Sequence, residues 1–131
     1  MQSIHIFHNP QCSKSRDVLR FLKDAGFEPE VTLYLQTGWT RDVLLKLKEQ
    51  SGLGWEIMLR NDAKKTLQAA IEENDDEVII QQAINDPGII ERPFVMTSKG
   101  VRLCRPITQL FEIVDTKPAS PWLTERGERI I

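Results

Sequence analysis

Cys12 is the residue whose type and position point most directly to chemistry. It stands between Ser3–His8 (SIHIFH), whose apolar pattern predicts a strand, and a helix predicted from about Ser13. In such a turn, unpaired backbone N–H groups and the positive end of the helix dipole face the side chain, and Lys14 and Arg16 add positive charge. These features favour the thiolate, which is the nucleophilic form of cysteine. The alternative is a buried, inert thiol. A strand-to-helix turn is normally exposed, which argues against that alternative.

Two motifs that would define other kinds of cysteine chemistry are missing around Cys12. Residues 12–15 are C-S-K-S, so the dithiol motif C-x-x-C lacks its second cysteine, and Val18 stands where a phosphatase loop requires arginine. His5 and His8 lie three residues apart on the predicted strand, so their imidazoles face opposite sides of the sheet. The sequence therefore predicts no metal site here.

A redox cycle at Cys12 needs a second thiol, which is either external or Cys104. Cys104 ends a predicted strand, Val101–Cys104 (VRLC), beside the apolar Leu103. That setting favours a structural cysteine, which makes an external thiol the expected reductant.

An oxyanion substrate would require arginine, because guanidinium groups stay charged and match tetrahedral oxyanions with paired hydrogen bonds. Three arginines stand next to structural breaks: Arg60, Arg92 and Arg105. Arg92 precedes Pro93 and Arg105 precedes Pro106, whereas Arg60 follows the apolar run W-E-I-M-L. Taken singly, each is also typical of an ordinary surface charge.

The elements that must position these residues begin with a β-α-β-α pattern. A helical stripe from about Ser13 ends near Gly26, a plausible C-cap, and Glu30–Leu35 (EVTLYL) predicts a second strand. Thr40 is a credible N-cap for a further helix that ends near Gly52. Two strands joined by a crossover helix imply parallel pairing.

The remaining chain predicts a helical insert at about 53–86, then a hairpin and a last helix. The insert has helices at Ala63–Glu73 and Glu77–Asn85, and the hairpin strands are Arg92–Thr97 and Val101–Cys104. The last helix covers Ile107–Val114, and a tail at about 116–131 is expected to run over the surface. The prediction is one α/β domain with a mixed four-stranded sheet, ordered βαβα, helical insert, ββα.

Composition excludes several classes of function. The chain has 131 residues and carries 17 Lys plus Arg against 19 Asp plus Glu, a net charge of −2, so no general attraction to nucleic acid or anionic membranes is expected. No apolar run is long enough to span a membrane, and the first residues lack the regions of a signal peptide. Two cysteines are too few for a disulfide scaffold, so the expected compartment is the cytoplasm.

The sequence resembles the glutaredoxin-coupled arsenate reductases over residues 3–115. The resemblance rests on three segments: His8–Arg16 (HNPQCSKSR), Glu91–Pro93 (ERP) and Arg102–Pro106 (RLCRP). It implies a thioredoxin-like fold that carries a helical insert, with Pro93 as the cis-proline of that fold.

The resemblance also implies a mechanism. Cys12 would attack arsenate held by Arg60, Arg92 and Arg105, with His8 helping to lower the pKa of the cysteine. Glutathione would then attack the arsenylated cysteine, glutaredoxin would reduce the mixed species, and arsenite would leave. No tightly bound cofactor is implied, glutathione is a co-substrate, and the protein is expected to be a monomer.

Two matters stay open at the level of the sequence. Ser15 either donates a hydrogen bond to the thiolate or caps the helix. The fold would also suit a glutathione-linked thiol reductase or transferase, or a redox-sensing regulatory protein that binds RNA polymerase. Ser15 in place of a second cysteine, and Arg105 in L-C-R-P, argue against the regulator.

Overall fold

A mixed four-stranded sheet organises the first of two compact units in a computed structural model that describes residues 2–131. This sheet unit comprises Met1–Leu33 and Arg92–Ile131. Its strands are β1 (Ile4–Phe7), β2 (Glu30–Thr32), β3 (Phe94–Thr97) and β4 (Gly100–Leu103). The strand order is β2-β1-β3-β4, with β1 parallel to β2 and antiparallel to β3, and β3 antiparallel to β4. The prediction of a mixed four-stranded α/β sheet is confirmed.

Helix α1 (Ser13–Asp24) joins the two parallel strands and buries one face against the sheet. Its buried stripe includes Val18, Phe21 and Leu22, the pattern expected of an amphipathic helix. The chain leaves the helix through Gly26, whose φ of 96° lies in the region that favours glycine. The stripe belongs to a cluster of buried side chains from the sheet and the later segments: Ile4, Ile6, Phe27, Val95, Cys104, Leu110, Ile113, Val114 and Trp122.

The segment after the hairpin is a 3₁₀ helix, Ile107–Glu112, where the sequence predicts a helix to Val114. Just beyond that helix, the carbonyl of Ile113 accepts hydrogen bonds from the Thr97 hydroxyl (2.7 Å) and the Gln2 side-chain amide (2.9 Å).

Most of the tail at about 116–131 is exposed, as expected, but Trp122 anchors its second half to the core. Trp122 is buried, packs edge-to-face on Phe21 with ring centroids 5.1 Å apart, and donates its indole N–H to Asp24 at 2.9 Å. Leu123 and Arg129 form an isolated antiparallel bridge. We call Trp122–Ile131 the C-terminal hairpin.

The second compact unit, Tyr34–Glu91, is helical. Its helices are α2 (Tyr34–Thr37), α3 (Arg41–Ser51), α4 (Trp55–Met58), α5 (Asn61–Thr66), α6 (Gln68–Glu72) and α7 (Asp76–Asn85), followed by a 3₁₀ turn at Pro87–Ile89. Thr40 accepts the Val43 N–H as the N-cap of α3, and Gly52 ends that helix with a φ of 72°, so both predicted ends are confirmed.

Three boundaries in the sequence prediction are wrong. The second strand ends at Thr32 instead of Leu35, because Tyr34 begins α2 and is buried against Trp39 with rings 4.7 Å apart. The predicted helix Ala63–Glu73 is divided at Leu67, whose φ of −104° and ψ of 17° are not helical. The inserted unit begins at Tyr34, earlier than the expected residue 53, because α3 packs against α7. No helix within residues 2–131 is both long and apolar enough to cross a bilayer.

Candidate active site

The thiol of Cys12 lies at the N-cap position of α1, directly after β1 and its turn. Burial raises the pKa of this thiol, but the backbone N–H of Ser15, the Arg92 guanidinium and the backbone N–H of Lys14 outweigh burial and leave the pKa below its ordinary value. The residue is 8% exposed, so only a small part of its surface is open to reagents. An inert buried thiol would have a raised pKa. The lowered pKa of Cys12 is instead typical of a nucleophilic cysteine.

Arg92 stands just before β3 and Arg105 just after β4, and a hydrogen bond joins the two residues. The Arg92 guanidinium lowers the pKa of Cys12 both through its charge and through a side-chain hydrogen bond. Arg105 donates from Nη1 to the carbonyl oxygen of Arg92 at 3.3 Å. Each arginine precedes a cis peptide bond, to Pro93 and to Pro106. The cis form at Pro93 agrees with what the family resemblance implies.

Arg60 belongs to the helical unit and stands at the N-cap of α5. Its backbone N–H donates to the carbonyl of Ile89 at 2.8 Å, which holds the segment before α5 in place, and its side chain is half-buried. Its convergence with Arg92 and Arg105 on one oxyanion stays a prediction.

His8 and Ser15 form a buried pair beneath the turn. His8 Nδ1 lies 2.7 Å from Ser15 Oγ, which also accepts the backbone N–H of Asn9 at 3.1 Å. Burial, followed by the charges of Lys23 and Arg16, lowers the pKa of His8. The imidazole is therefore mainly neutral at neutral pH and supplies no full positive charge to the thiolate.

These contacts add partners that the sequence does not indicate. The structure places His8 against Ser15, and burial lowers the pKa of its imidazole; its effect on the pKa of Cys12 stays a prediction. The Ser15 hydroxyl holds Asn9 and His8, while the backbone N–H of Ser15 is the group that lowers the pKa of the thiol. The sequence predicts either a hydrogen bond from the Ser15 hydroxyl to the thiolate or a helix cap, and it does not predict the bonds to Asn9 and His8.

Cys104 has the opposite environment to Cys12. It is 1% exposed within the sheet-unit core, and burial raises the pKa of its thiol far above the ordinary value. The prediction that Cys104 is structural agrees with this burial.

His5 and His8 diverge as predicted. His5 Nε2 contacts Thr32 Oγ1 at 2.6 Å, whereas His8 faces Ser15. Within residues 2–131, no group of three or more His, Cys, Asp or Glu side chains is arranged to hold a metal ion.

The C-terminal hairpin is the part of the site's surroundings that the sequence prediction missed. Glu125 pairs with Arg16 through two contacts, at 2.6 and 3.1 Å, and its backbone N–H donates to Asp17 at 2.9 Å. Arg20 donates to the carbonyl of Leu123 at 2.6 Å. The hairpin is thus bonded along α1, the helix whose N-cap residue is Cys12. The apolar residues Trp122, Ile130 and Ile131 in a charged tail are the signal that indicates it.

A cysteine at the N-cap of the first helix, next to a mixed sheet ordered β2-β1-β3-β4, is the arrangement of a thioredoxin-like thiol protein. The profile of the ArsC family matches residues 7–113. Arsenate reductase ArsI2 of Synechocystis sp. is 37% identical over 130 residues, which cover 98% of this chain and 93% of the relative. An arsenate reductase of Escherichia coli is 34% identical over 133 residues, which cover 100% of this chain and 94% of the relative.

A solved structure of arsenate reductase from Vibrio cholerae superimposes with a TM-score of 0.78 at 34% identity, covering 86% of this chain and 98% of that one. The chain belongs to the ArsC family. The expectation of a thioredoxin-like fold is confirmed.

Proposed function

We propose that this protein reduces arsenate to arsenite, with Cys12 as the nucleophile and with glutathione and glutaredoxin as reductants. The observation that carries the proposal is the contact of the Arg92 guanidinium with a thiol whose pKa is lowered. Membership of the ArsC family and the names of the relatives direct the proposal to arsenate. Because the reaction would consume glutathione, we place it in a reducing, cytoplasmic compartment, and we expect a monomer.

In this proposal the arginines offset the electrostatic repulsion between the thiolate and arsenate. A thiolate that approaches an anionic oxyanion is repelled, and guanidinium groups must offset that repulsion before the bond forms. Arg92 already contacts the thiol, and Arg105 adjoins Arg92. In this proposal both guanidinium groups donate to arsenate oxygens, and Arg60 is the third donor that the family resemblance implies.

The first step joins the sulfur of Cys12 to arsenic. The thiolate attacks the arsenic atom, and one arsenate oxygen leaves as water after it takes up protons. The product is a Cys12 thioester of arsenate in which arsenic is still As(V). Arg92 first stabilises the thiolate and then the oxygens of the adduct, so its charge is used on both sides of the step.

The reduction needs two electrons, and the site holds one reactive thiol. Cys104 is a poor donor because burial raises the pKa of its thiol. We propose that glutathione sulfur joins the arsenic, and that a glutaredoxin thiolate then takes that sulfur as a mixed disulfide while the bonding pair stays on arsenic. Hydrolysis releases arsenite and restores Cys12. Overall, arsenate and two thiols give arsenite, one disulfide and water.

A coupled assay that follows glutathione oxidation tests the proposal. Arsenate, glutathione and glutaredoxin are omitted in turn, and activity is expected only when all three are present. Cys12→Ser is expected to abolish turnover, whereas the control Cys104→Ala is expected to retain it. Turnover by Cys12→Ser, or turnover without glutathione, would refute the mechanism. A glutathione-linked thiol reductase would instead reduce a glutathione mixed disulfide without arsenate.

The role of Arg105 has a separate kinetic test. Hydrogen bonds to charged groups are worth about 1.5–3 kcal/mol, so Arg105→Ala is expected to raise the KM for arsenate about 10- to 100-fold. Arg105→Lys is expected to recover part of the loss, because the ammonium keeps the charge but not the paired geometry. An unchanged KM in both variants would remove Arg105 from the site. The same measurement on Arg60→Ala tests the third donor.

A further inference from the structure

A cleft of about 380 Å³ lies in the sheet unit next to the reactive thiol. Its walls come from the first turns of α1, the corner around Arg105 and the C-terminal hairpin. The charged residues that line it are Lys14, Asp17, Arg105, Arg126 and Glu128. We call it the hairpin cleft; of the residues that line it, the steps described above use Arg105 alone.

The hairpin cleft is continuous with the surroundings of Cys12. The backbone N–H of Lys14, which lines the cleft, is one of the groups that lower the pKa of the thiol. Arg105, which also lines the cleft, donates to the backbone carbonyl of Arg92, and the Arg92 guanidinium contacts the same thiol. A molecule bound in this cleft would therefore lie next to the turn that carries Cys12, whose immediate neighbour Ser13 lines the cleft.

The wall that the hairpin supplies is held in place by hydrogen bonds. The Glu125 backbone N–H donates to Asp17 at 2.9 Å, and the Glu125 carboxylate pairs with Arg16. The Glu128 backbone N–H donates to the Thr124 hydroxyl at 3.0 Å and closes the turn that carries Arg126. The cleft is thus formed before any ligand arrives, which lowers the entropic cost of binding.

The charged side chains of the hairpin cleft indicate which kind of ligand it can bind. Lys14, Arg105 and Arg126 supply three cations, and among the ion pairs of residues 2–131 none of them has a carboxylate partner. Asp17 is already engaged by the hairpin, which leaves Glu128 as the exposed carboxylate of the cleft. A ligand with two carboxylates and one ammonium complements this set, whereas a polyanion would be repelled by Glu128.

We propose that the hairpin cleft binds glutathione. The tripeptide carries two carboxylates, one ammonium and the thiol that the second step requires, and the cavity falls within the range of roughly 300–1,000 Å³ that small-molecule sites occupy. Arg126 binds one carboxylate, Lys14 binds the other, and Glu128 binds the ammonium. This inference rests on the proposed function, because it assigns a place to the reductant of the same reaction.

Arg126→Gln tests the assignment, with Arg129→Gln as the matched control. Both substitutions remove one positive charge from the C-terminal hairpin, but Arg129 does not line the cleft. Arg126→Gln is expected to raise the KM for glutathione about fivefold, a modest factor because the side chain is exposed. The KM for arsenate and the rate at saturating glutathione are expected to stay unchanged. Equal glutathione KM values in the two variants would overturn the proposal, as would a rise in the KM for glutaredoxin instead.

Binding of S-methylglutathione provides a readout that does not depend on turnover. This analogue keeps the charges of glutathione but has no reactive thiol, so calorimetry measures occupation of the cleft alone. Affinity is expected to fall about fivefold in Arg126→Gln and to stay unchanged in Arg129→Gln. If the protein fails to reduce arsenate with glutathione, the proposed function fails, and this titration still decides whether the cleft binds the tripeptide. Equal affinities would refute the cleft assignment even in an active reductase.

Discussion

Replacement of Ser15 by alanine is expected to destabilise the turn that carries the nucleophile. The Ser15 side chain is fully buried, and its hydroxyl is bonded to His8 Nδ1 at 2.7 Å and to the Asn9 N–H at 3.1 Å. Alanine fits the same space but leaves both partners without a hydrogen bond inside the protein. Because Asn9 also accepts the backbone N–H of Cys12 at 3.0 Å, the loss reaches the residue that performs the chemistry.

The magnitude follows from the two lost hydrogen bonds. Each is worth about 1–1.5 kcal/mol, and alanine recovers up to about 0.5 kcal/mol through its higher helix propensity. The expected decrease in the free energy of unfolding is therefore about 2 kcal/mol. With an unfolding entropy of about 2.1 cal/mol/K per residue, a chain of 131 residues loses about 7 °C of Tm.

Urea and thermal denaturation measure the change, and Ser13→Ala is the matched control. Ser13 lies in the same first turn of α1, and its hydroxyl makes no hydrogen bond to another residue of the described chain 2–131. Ser13→Ala is expected to stay within about 0.5 kcal/mol of the parent protein. If the two variants have equal stability, the hydrogen bonds of Ser15 do not hold the turn and the reasoning is wrong.

Three further predictions concern ionisation and packing. In the native protein a thiol reagent is expected to modify Cys12 alone at neutral pH, with Cys104 reacting only after denaturation, because burial raises the pKa of Cys104 while the pKa of Cys12 is lowered. Because the pKa of His8 is lowered in the folded protein, only the unfolded chain protonates this residue just below pH 6.5. The free energy of unfolding is therefore expected to fall as the pH drops through and below that value. The fall is expected to be smaller in His8→Gln. Trp122→Ala is expected to cost about 3–5 kcal/mol in urea denaturation, because the indole is buried.

Each of these predictions has a contradicting result. Modification of both thiols in the native protein would show that the sheet-unit core admits solvent at Cys104. A pH dependence unchanged by His8→Gln would assign the effect to other groups. A loss of less than about 1 kcal/mol for Trp122→Ala would mean that the C-terminal hairpin contributes little to the core.

The local structure around Cys12 was predictable because its causes are close together in the sequence. The strand, the proline-containing turn and the first helix have distinct periodicities, and a cysteine at that junction must meet backbone N–H groups. The structure has those elements and lowers the pKa of the thiol through the backbone of Ser15 and Lys14. Thr40 and Gly52, which bound α3, were predictable for the same reason.

The role of His8 was less accessible to sequence reasoning. Its protonation depends on burial and on charges from Lys23 and Arg16, and burial is a property of the packed molecule. The Ser15 hydroxyl likewise has several possible partners in a sequence, and the turn geometry selects Asn9 and His8. The end of the second strand was mispredicted because a short apolar run such as V-T-L-Y-L does not distinguish a strand from a buried helical turn.

Residue type and spacing alone establish a reactive cysteine in a strand-to-helix turn and the α/β class of the fold, since hydrogen bonds between near neighbours and apolar periodicity produce both. Folding in three dimensions decides which distant groups surround that cysteine. Arg92 contacts the thiol, and Arg105 is hydrogen-bonded to Arg92. The C-terminal hairpin is bonded to Arg16 and Asp17. These contacts depend on how a few large side chains, Trp122 among them, fill the core. No local pattern encodes that choice, because packing is a property of the whole assembled core.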